Sequence, residues 1–573
     1  MTKFSKIDFV AGIIIISALA LAIFSVKGDS VTTDESPHVT AGYSYLTQND
    51  MRLNPEHPPL MKDLAGIPLL FKNLNIDLEH YSWKTDINGQ WTFGTHFLYE
   101  SGNNPDEIIF NARLAVMLIF VLLGIMVYIW TKERYGAKTG LLGLFLTVFS
   151  PNIIANGRYV TTDVAAAFAF VLGTYFFVKF INNQTKKNLL FAGIAFGIAQ
   201  LLKFSLIILV PLFVFTGIVY WFISKKISFV KLVASLTGIF FIGALVIWPV
   251  YQFHVWKYPV ERQKADTAFT LRSYPVKPIA DAVIWATDKP LLRSYAQYSL
   301  GLLMVFQRTG GGNTTYFLGE VNNQAWKSYF PTVYALKETI PALSLMLIAL
   351  LIGIKNIFKN RNRIKKWLTE SFTEIVWLSF IAIYWALSIK GNLNIGVRHV
   401  LPTFPFIYML TAGQISGWVK TGLKPIKVLV VCIFAVWLGM ETLNTYPYYL
   451  TYYNELAGGP DNGYKYAVDS NLDWGQDLKR LTAYVNENNI EKIKLDYFGG
   501  GSPEYYLGNK YERLDANNVL QRHGWLAVSA TLLQNGRANA VKGFQGNTTS
   551  YKWLDSYTPV TKIGYSIFVY KID

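Results

Sequence analysis

Two short stretches carry residue types that could do acid–base chemistry. Thr33-Asp34-Glu35-Ser36-Pro37-His38 follows the first apolar run, and Asn54-Pro55-Glu56-His57-Pro58-Pro59-Leu60-Met61-Lys62 follows soon after. A carboxylate held against a membrane surface loses water, its pKa rises, and it becomes a better proton acceptor. Asp34, Glu35 and Glu56 suit that work, with His57 presented beside Glu56. Each also has a plainer reading. Asp34 fits a helix N-cap, Glu35 a first-turn acid favoured by the helix dipole, and Glu56-His57-Pro58-Pro59 a Pro-stiffened turn.

Two cations complement these acids. Lys203 breaks an apolar stretch, where a lone ammonium is costly without an anion; the alternative is a Lys snorkelling to the interface. Arg398-His399 stands next to Pro402 at the start of another apolar run. The rigid guanidinium fork suits a phosphate, and a lipid headgroup would satisfy it as well. Further on, Asp469-Ser470-Asn471-Leu472-Asp473-Trp474-Gly475-Gln476 reads first as a helix start, with Asp473 and Gln476 in capping positions. Trp474 among acids would also serve a sugar-binding surface. Arg308-Thr309-Gly310-Gly311-Gly312-Asn313 reads as a flexible outer loop. No phosphate-binding glycine loop or Cys/His metal cluster is visible. No cofactor is implied. His38, His57 and the acids leave a divalent metal open, but their spacing does not demand one.

The elements that must position these groups are membrane helices. Only 16% of the 573 residues are charged and 52% are hydrophobic, against about 25% charged in a soluble chain. Apolar runs long enough to span, or nearly so, fall at 7–26, 110–130, 140–155, 163–180, 188–202, 206–223, 229–253, 333–354, 374–389, 400–418 and 427–443. The first follows Lys3 and Lys6 and lacks a clean cleavage site, so it reads as an uncleaved anchor. The single cysteine, Cys432, excludes an intramolecular disulfide and reads as a buried thiol.

The net charge of +16 has a topological origin. Alternate loops hold eighteen Lys or Arg, among them Lys355, Lys359, Arg361, Arg363, Lys365 and Lys366, against one acid, Glu133. That asymmetry puts these loops and the N-terminus on the cytoplasmic side and the C-terminus outside. A nucleic-acid partner gains no support from it. Residues 1–444 then form a transmembrane module with large outer loops at 27–109 and 254–332. Residues 445–573 form a small extracytoplasmic α/β domain. Its expected elements are a helix at 474–487, strands at 493–498, 525–530 and 565–572, and a turn at Gly499-Gly500-Gly501.

Asp-Glu after the first span, then acid-His-Pro-Pro-Leu with a nearby Lys, resembles the protein O-mannosyltransferases. It also resembles the bacterial lipid-carrier-dependent transferases related to the aminoarabinose transferases, which share the GT-C membrane fold. The resemblance continues in Gly157-Arg158-Tyr159-Val160-Thr161-Thr162-Asp163 and in Gly197-Ile198-Ala199-Gln200-Leu201-Leu202-Lys203. It covers roughly the first 220 residues well. What it implies is an all-α, GT-C-like polytopic protein of about eleven transmembrane helices with the α/β tail. The implied enzyme is a hexosyl- or pentosyltransferase in a bacterial plasma membrane. It moves a sugar from a polyprenyl-phosphate donor to an acceptor hydroxyl on a protein, lipid or glycan, with inversion. Asp34 matches the family's catalytic base, Glu35 its partner acid and Asp163 a second outer acid. Glu56 stands where mannosyltransferases have Asp before His-Pro-Pro. Lys203 matches a Lys holding the carrier phosphate, and Arg158 a further contact. The rival readings are a transporter or lipid-linked sugar flippase, whose charges would sit nearer the midplane, a non-catalytic scaffold displaying the tail, and a related membrane enzyme that moves a whole oligosaccharide.

Overall fold

The computed structural model describes residues 5–359 and 364–573. Lys3, Arg361 and Arg363 of the basic segments lie outside the described residues. Among the described residues, eight helices are long and apolar enough to cross a membrane. These are Lys6–Ser25, Pro105–Tyr135, Asp163–Asn182, Phe204–Ser224, Phe229–His254, Ile340–Lys359, Phe372–Lys390 and Lys424–Thr445. The other three expected spans are helical but shorter. Lys186–Leu202 and Phe404–Val419 are single helices, and the third splits into Ala137–Val148 and Pro151–Asn156. Pro151 begins that second piece, where its missing N–H costs nothing. Cys432 is exposed rather than buried, because its helix Lys424–Thr445 turns most of its apolar surface outward.

Small residues set the closest helix contacts. A Cβ on Gly193 would fall 2.5 Å from Ile242 Cβ, and one on Gly197 2.6 Å from Val246 Cβ. This Gly-x-x-x-Gly face lets Lys186–Leu202 lie against Phe229–His254. It thereby fixes the end of the helix from which Lys203 emerges.

Residues 27–109 are ordered as short helices, chiefly Glu35–Gln48, Leu60–Gly66 and Gln90–Thr95. The first two cross at Gly42, where a Cβ would lie 2.0 Å from the Lys62 carbonyl oxygen. That contact brings the two acid motifs together. Residues 254–332 hold the helix Arg293–Gly311 and strands β1 (Thr315–Phe317) and β2 (Glu320–Asn322). Residues 308–311, expected as a flexible loop, are the last turn of that helix, and Gly312 ends it at φ 78°.

The tail is α/β, as expected, with strands β3 (Ile493–Asp496), β4 (Tyr511–Arg513), β5 (Gly524–Ser529), β6 (Asn539–Ala540), β7 (Thr561–Ile563) and β8 (Ile567–Ile572). Five form a sheet of order β4-β3-β5-β8-β7. Alternation divides its side chains between two cores. Ile493, Leu495, Ala527, Ile567 and Val569 pack with Leu478, Leu481 and Val485 of the helix Leu478–Glu487. Leu526, Val528, Phe568 and Tyr570 face the other way. The remaining strand, β6, pairs in parallel with β2, so a sheet joins the tail to residues 254–332.

The tail helix begins at Leu478, not at 474, and Asp473 does not cap it. Gly475 at φ 92° breaks the chain between them, a conformation open chiefly to glycine. Asp473 instead accepts a 2.8 Å bond from the Thr531 N–H through Oδ2, and its Oδ1 has no partner among the described residues. Burial pushes its carboxyl up to about 8. A folded pKa above the ordinary 3.8 means stability that is full in acid and lost as pH rises through about 8. Asp473→Asn keeps the acceptor and removes the charge. It is expected to be near neutral at about pH 4 and stabilising at about pH 9, read as a widening gap between the two unfolding midpoints.

Candidate active site

Seven of the nine expected site residues line one cavity of about 520 Å³: Asp34, Glu56, His57, Asp163, Lys203, Arg398 and His399. Asp34 occupies the N-cap position of Glu35–Gln48, yet its side chain makes no cap bond. It pairs instead with Arg398, Oδ2 to Nη1 at 2.7 Å. Asp163 opens the helix Asp163–Asn182. Its Oδ1 lies 2.6 Å from Lys203 Nζ and its Oδ2 3.4 Å from Arg398 Nη1. Lys203 sits in extended backbone at φ −160°, between Lys186–Leu202 and the 3₁₀ turn Phe204–Ile208. The result is a ladder of alternating charge: Asp34, Arg398, Asp163, Lys203.

Arg398 is held on three sides. Its Nε donates to Ser470 Oγ at 3.0 Å, its guanidinium lies 4.2 Å from the Trp474 ring centroid, and the two aspartates take Nη1. Gly396 permits this approach of the tail, since a Cβ there would meet Ser470 Oγ at 2.4 Å. Burial acts most strongly, to raise the Asp34 carboxyl, but the charge and hydrogen bond of Arg398 together with His38 outweigh it, so its pKa falls below the ordinary value. Asp34 is therefore ionised at neutral pH.

The second motif is built to present its acid. Lys62 Nζ donates to the carbonyls of Asn54 at 2.7 Å and His57 at 2.8 Å and to the Tyr45 hydroxyl at 2.9 Å. It ties the Pro-rich turn from behind and does not line the cavity. Glu56 accepts from Gln90 Nε2 and, at 3.1 Å, from Asn88 Nδ2. The His57 ring meets His38 edge-on, with centroids 5.0 Å apart. Burial, with the nearby Lys62 and Lys203 charges, pushes His57 well below its ordinary value. Burial, with Arg398 and Lys203, takes His399 down to about 3. Both imidazoles are neutral donors or acceptors at neutral pH.

Glu35 and Arg158 stand apart from this cavity. The Glu35 carboxylate is saturated. Oε1 accepts from Arg113 Nε at 2.7 Å and Val160 N at 3.0 Å, and Oε2 from Arg113 Nη2 at 2.6 Å and Thr32 N at 2.9 Å. Arg158 pairs with Asp29 at 3.3 Å and donates to the Pro447 carbonyl at 3.1 Å. Glu35 is a buried bolt between the segment 27–109, the helix Pro105–Tyr135 and Val160, and Arg158 is one between Asp29 and the start of the tail at Pro447. Breaking such a pair from one side typically costs about 3–5 kcal/mol, because the other charge is left buried. Arg113→Ala is expected to reduce folded yield and thermal stability by that order, measurable in detergent-solubilised protein.

Four further titratable residues line the cavity: His38, Arg308 and Asp469, from stretches already singled out in the sequence, and Tyr384, which nothing in the sequence marks. His38 Nδ1 lies 2.9 Å from the Val160 carbonyl. A carbonyl only accepts, so Nδ1 carries the proton and Nε2 is left as an acceptor. Asp469 takes φ 57°, and burial raises its carboxyl to about 6. Among the described residues no group of three His, Cys, Asp or Glu is placed to hold a metal ion. The arrangement combines an ionised carboxylate, neutral imidazoles and the cations Lys203, Arg308 and Arg398. It suits an anion beside a hydroxyl that must lose a proton.

Residues 106–251 match the family described as dolichyl-phosphate-mannose-protein mannosyltransferase. No curated protein matches the chain. Among solved structures, the S. cerevisiae protein O-mannosyltransferase Pmt1-Pmt2 complex bound to the sugar donor aligns with a TM-score of 0.56. The match has 11% identity over 78% of this chain and 91% of that one. Archaeoglobus fulgidus oligosaccharyltransferase AglB, solved with an inhibitory peptide and a dolichol-phosphate, gives 0.45, with 13% identity over 90% and 69%. ArnT from Cupriavidus metallidurans, bound to undecaprenyl phosphate, gives 0.32, with 11% identity over 99% and 98%. The fold rests on the first of these, and the looser two add nothing to it. The chain has the GT-C fold of the membrane glycosyltransferases and resembles the protein O-mannosyltransferases.

Proposed function

We propose that the chain transfers a sugar from a polyprenyl-phosphate donor to an acceptor hydroxyl at the outer face of the plasma membrane. The observation that carries this is the charge ladder Asp34–Arg398–Asp163–Lys203 in one cavity. Asp34 takes the acceptor's proton while the oxygen attacks the anomeric carbon. The bond from that carbon to the phosphate oxygen breaks, and its electron pair leaves with the lipid phosphate. Direct displacement inverts the anomeric centre. A lipid phosphate leaves as a stable anion, so it needs positive charge more than it needs a general acid. Lys203 and Arg398 supply that charge, and Asp163 holds the two cations in place. Glu56 and His57 face the sugar, and His399 adds a neutral contact.

A donor phosphate competes with Asp34 for Arg398. As the guanidinium turns to the phosphate, Asp34 loses the charge that depresses its pKa and gains proton affinity. Donor binding thus readies the base. Residues 445–573 close the cavity from the outer side, since Ser470 and Trp474 hold Arg398 in position. In this reading the N-terminus is cytoplasmic and the C-terminus outside.

Reconstitution in vesicles with a radiolabelled polyprenyl-phosphate sugar separates this reading from a flippase. Transfer moves the label off the lipid. A flippase would deliver the intact labelled lipid to the opposite leaflet, and that result would overturn the proposal.

A further inference from the structure

A second groove, of about 530 Å³, lies between the first outer loop and the tail. Its walls include Tyr81, Trp91, Thr95, Glu100 and the backbone of Gly499–Gly501, and Trp91 also lines the first cavity. The tail comes this close because Gly500 carries no Cβ, which would sit 2.4 Å from the Thr32 carbonyl oxygen. The groove therefore has a wall of bare backbone, opposite two exposed aromatic rings. Ser36, two residues beyond Asp34, also lines it. Ser36 is only 3% exposed, and its Oγ has no hydrogen-bond partner among the described residues. A buried hydroxyl left unpaired is costly unless something completes it.

The chemistry of the walls selects a ligand class. Among the described residues no Lys or Arg lines the groove, in contrast to the three cations of the first cavity. The one basic side chain among these lining residues is the His80 imidazole, whose Nδ1 meets Ser82 Oγ at 2.6 Å, so the groove lacks the permanent cation that a phosphate favours. Exposed indole and phenol rings take the apolar face of a pyranose, and carboxylate, hydroxyl and peptide groups take its hydroxyls. We propose that this groove binds the sugar chain of a neutral glycan acceptor and leads its terminal hydroxyl past Trp91 towards Asp34. This deepens the transferase reading above and rests on it for the direction of travel.

The test uses the full chain in nanodiscs. Saturation-transfer NMR without donor measures binding of neutral trisaccharides built from glucose, mannose or N-acetylglucosamine. A Thr-containing hexapeptide and a phosphorylated disaccharide are run beside them. At least one neutral trisaccharide is expected to bind, and the other two probes are not. Tyr81→Ala and Glu100→Gln change exposed side chains and are expected to weaken that binding at least tenfold. In transfer assays they raise the acceptor KM by a similar factor and leave kcat unchanged. Preference for the peptide or the phosphorylated sugar, binding of no trisaccharide, or unchanged affinity in both variants would each overturn the proposal. Absence of carrier release from the wild type, with trisaccharide binding intact, would instead strike at the transferase reading.

Discussion

Replacing Asp34 by Asn is expected to lower sugar transfer by about 10²–10⁴-fold, the usual cost of losing a general base. Donor binding should survive. Asn retains an oxygen that can accept from Arg398 Nη1, now bonded to Asp34 at 2.7 Å, and Arg398 keeps its contact with Asp163. The helix start is not at risk, because the Asp34 side chain does not cap it. The measurement is initial transfer rate alongside equilibrium binding of the carrier lipid. Full activity in Asp34→Asn would move the base elsewhere in the cavity, to Glu56 or to His38 through its acceptor Nε2.

The second large effect is expected at the cations. Removing one preorganised donor to a developing negative charge costs about 10²–10³-fold in rate, so Lys203→Ala and Arg398→Ala are each expected in that range. Arg398→Ala has a further signature. Asp34 and Asp163 are then left in one cavity without the guanidinium between them, and the carboxyl pKa of Asp34 rises. Activity that needs Asp34 ionised is present above its pKa and lost as pH falls through it. The acid limb of the kcat/KM profile, which reports the free enzyme and is low in the wild type because the Asp34 pKa is depressed before the donor binds, should move to higher pH in Arg398→Ala. Arg398→Lys keeps a charge but loses the fork and the stack on Trp474, and is expected to lie between the two. An unshifted limb would mean that Asp34 does not report on Arg398.

Much of this was open to reading from the chain. Lys203 and Arg398 stand out because charged groups at the ends of apolar runs are expensive, Asp34, Glu56 and His57 because acids and imidazoles cluster in the loop after the first run, and all five gather in one cavity. Glu35 looks equivalent to Asp34, yet its partner Arg113 lies 78 positions along, inside an apolar run. Only the packing of the helix Pro105–Tyr135 brings the guanidinium to it. Arg308 is masked by the glycines that follow it, which have poor helix propensity although the helix runs on through Gly311. Asp473 and Gln476 match a capping pattern, but Gly475 between them takes a positive φ and turns the chain. The pairing of β6 with β2 joins short segments far apart in sequence. Local periodicity carries no signal for such a contact.

The most direct test of the central claim is mass spectrometry of both products. Purified wild-type protein is incubated with a panel of polyprenyl-phosphate sugars and a mixed set of protein, lipid and glycan acceptors. The account predicts free polyprenyl phosphate from at least one donor, in equal amount to glycosylated acceptor, with Asp34→Asn releasing little. Intact donor across the whole panel, with the protein folded and binding the carrier, would contradict it.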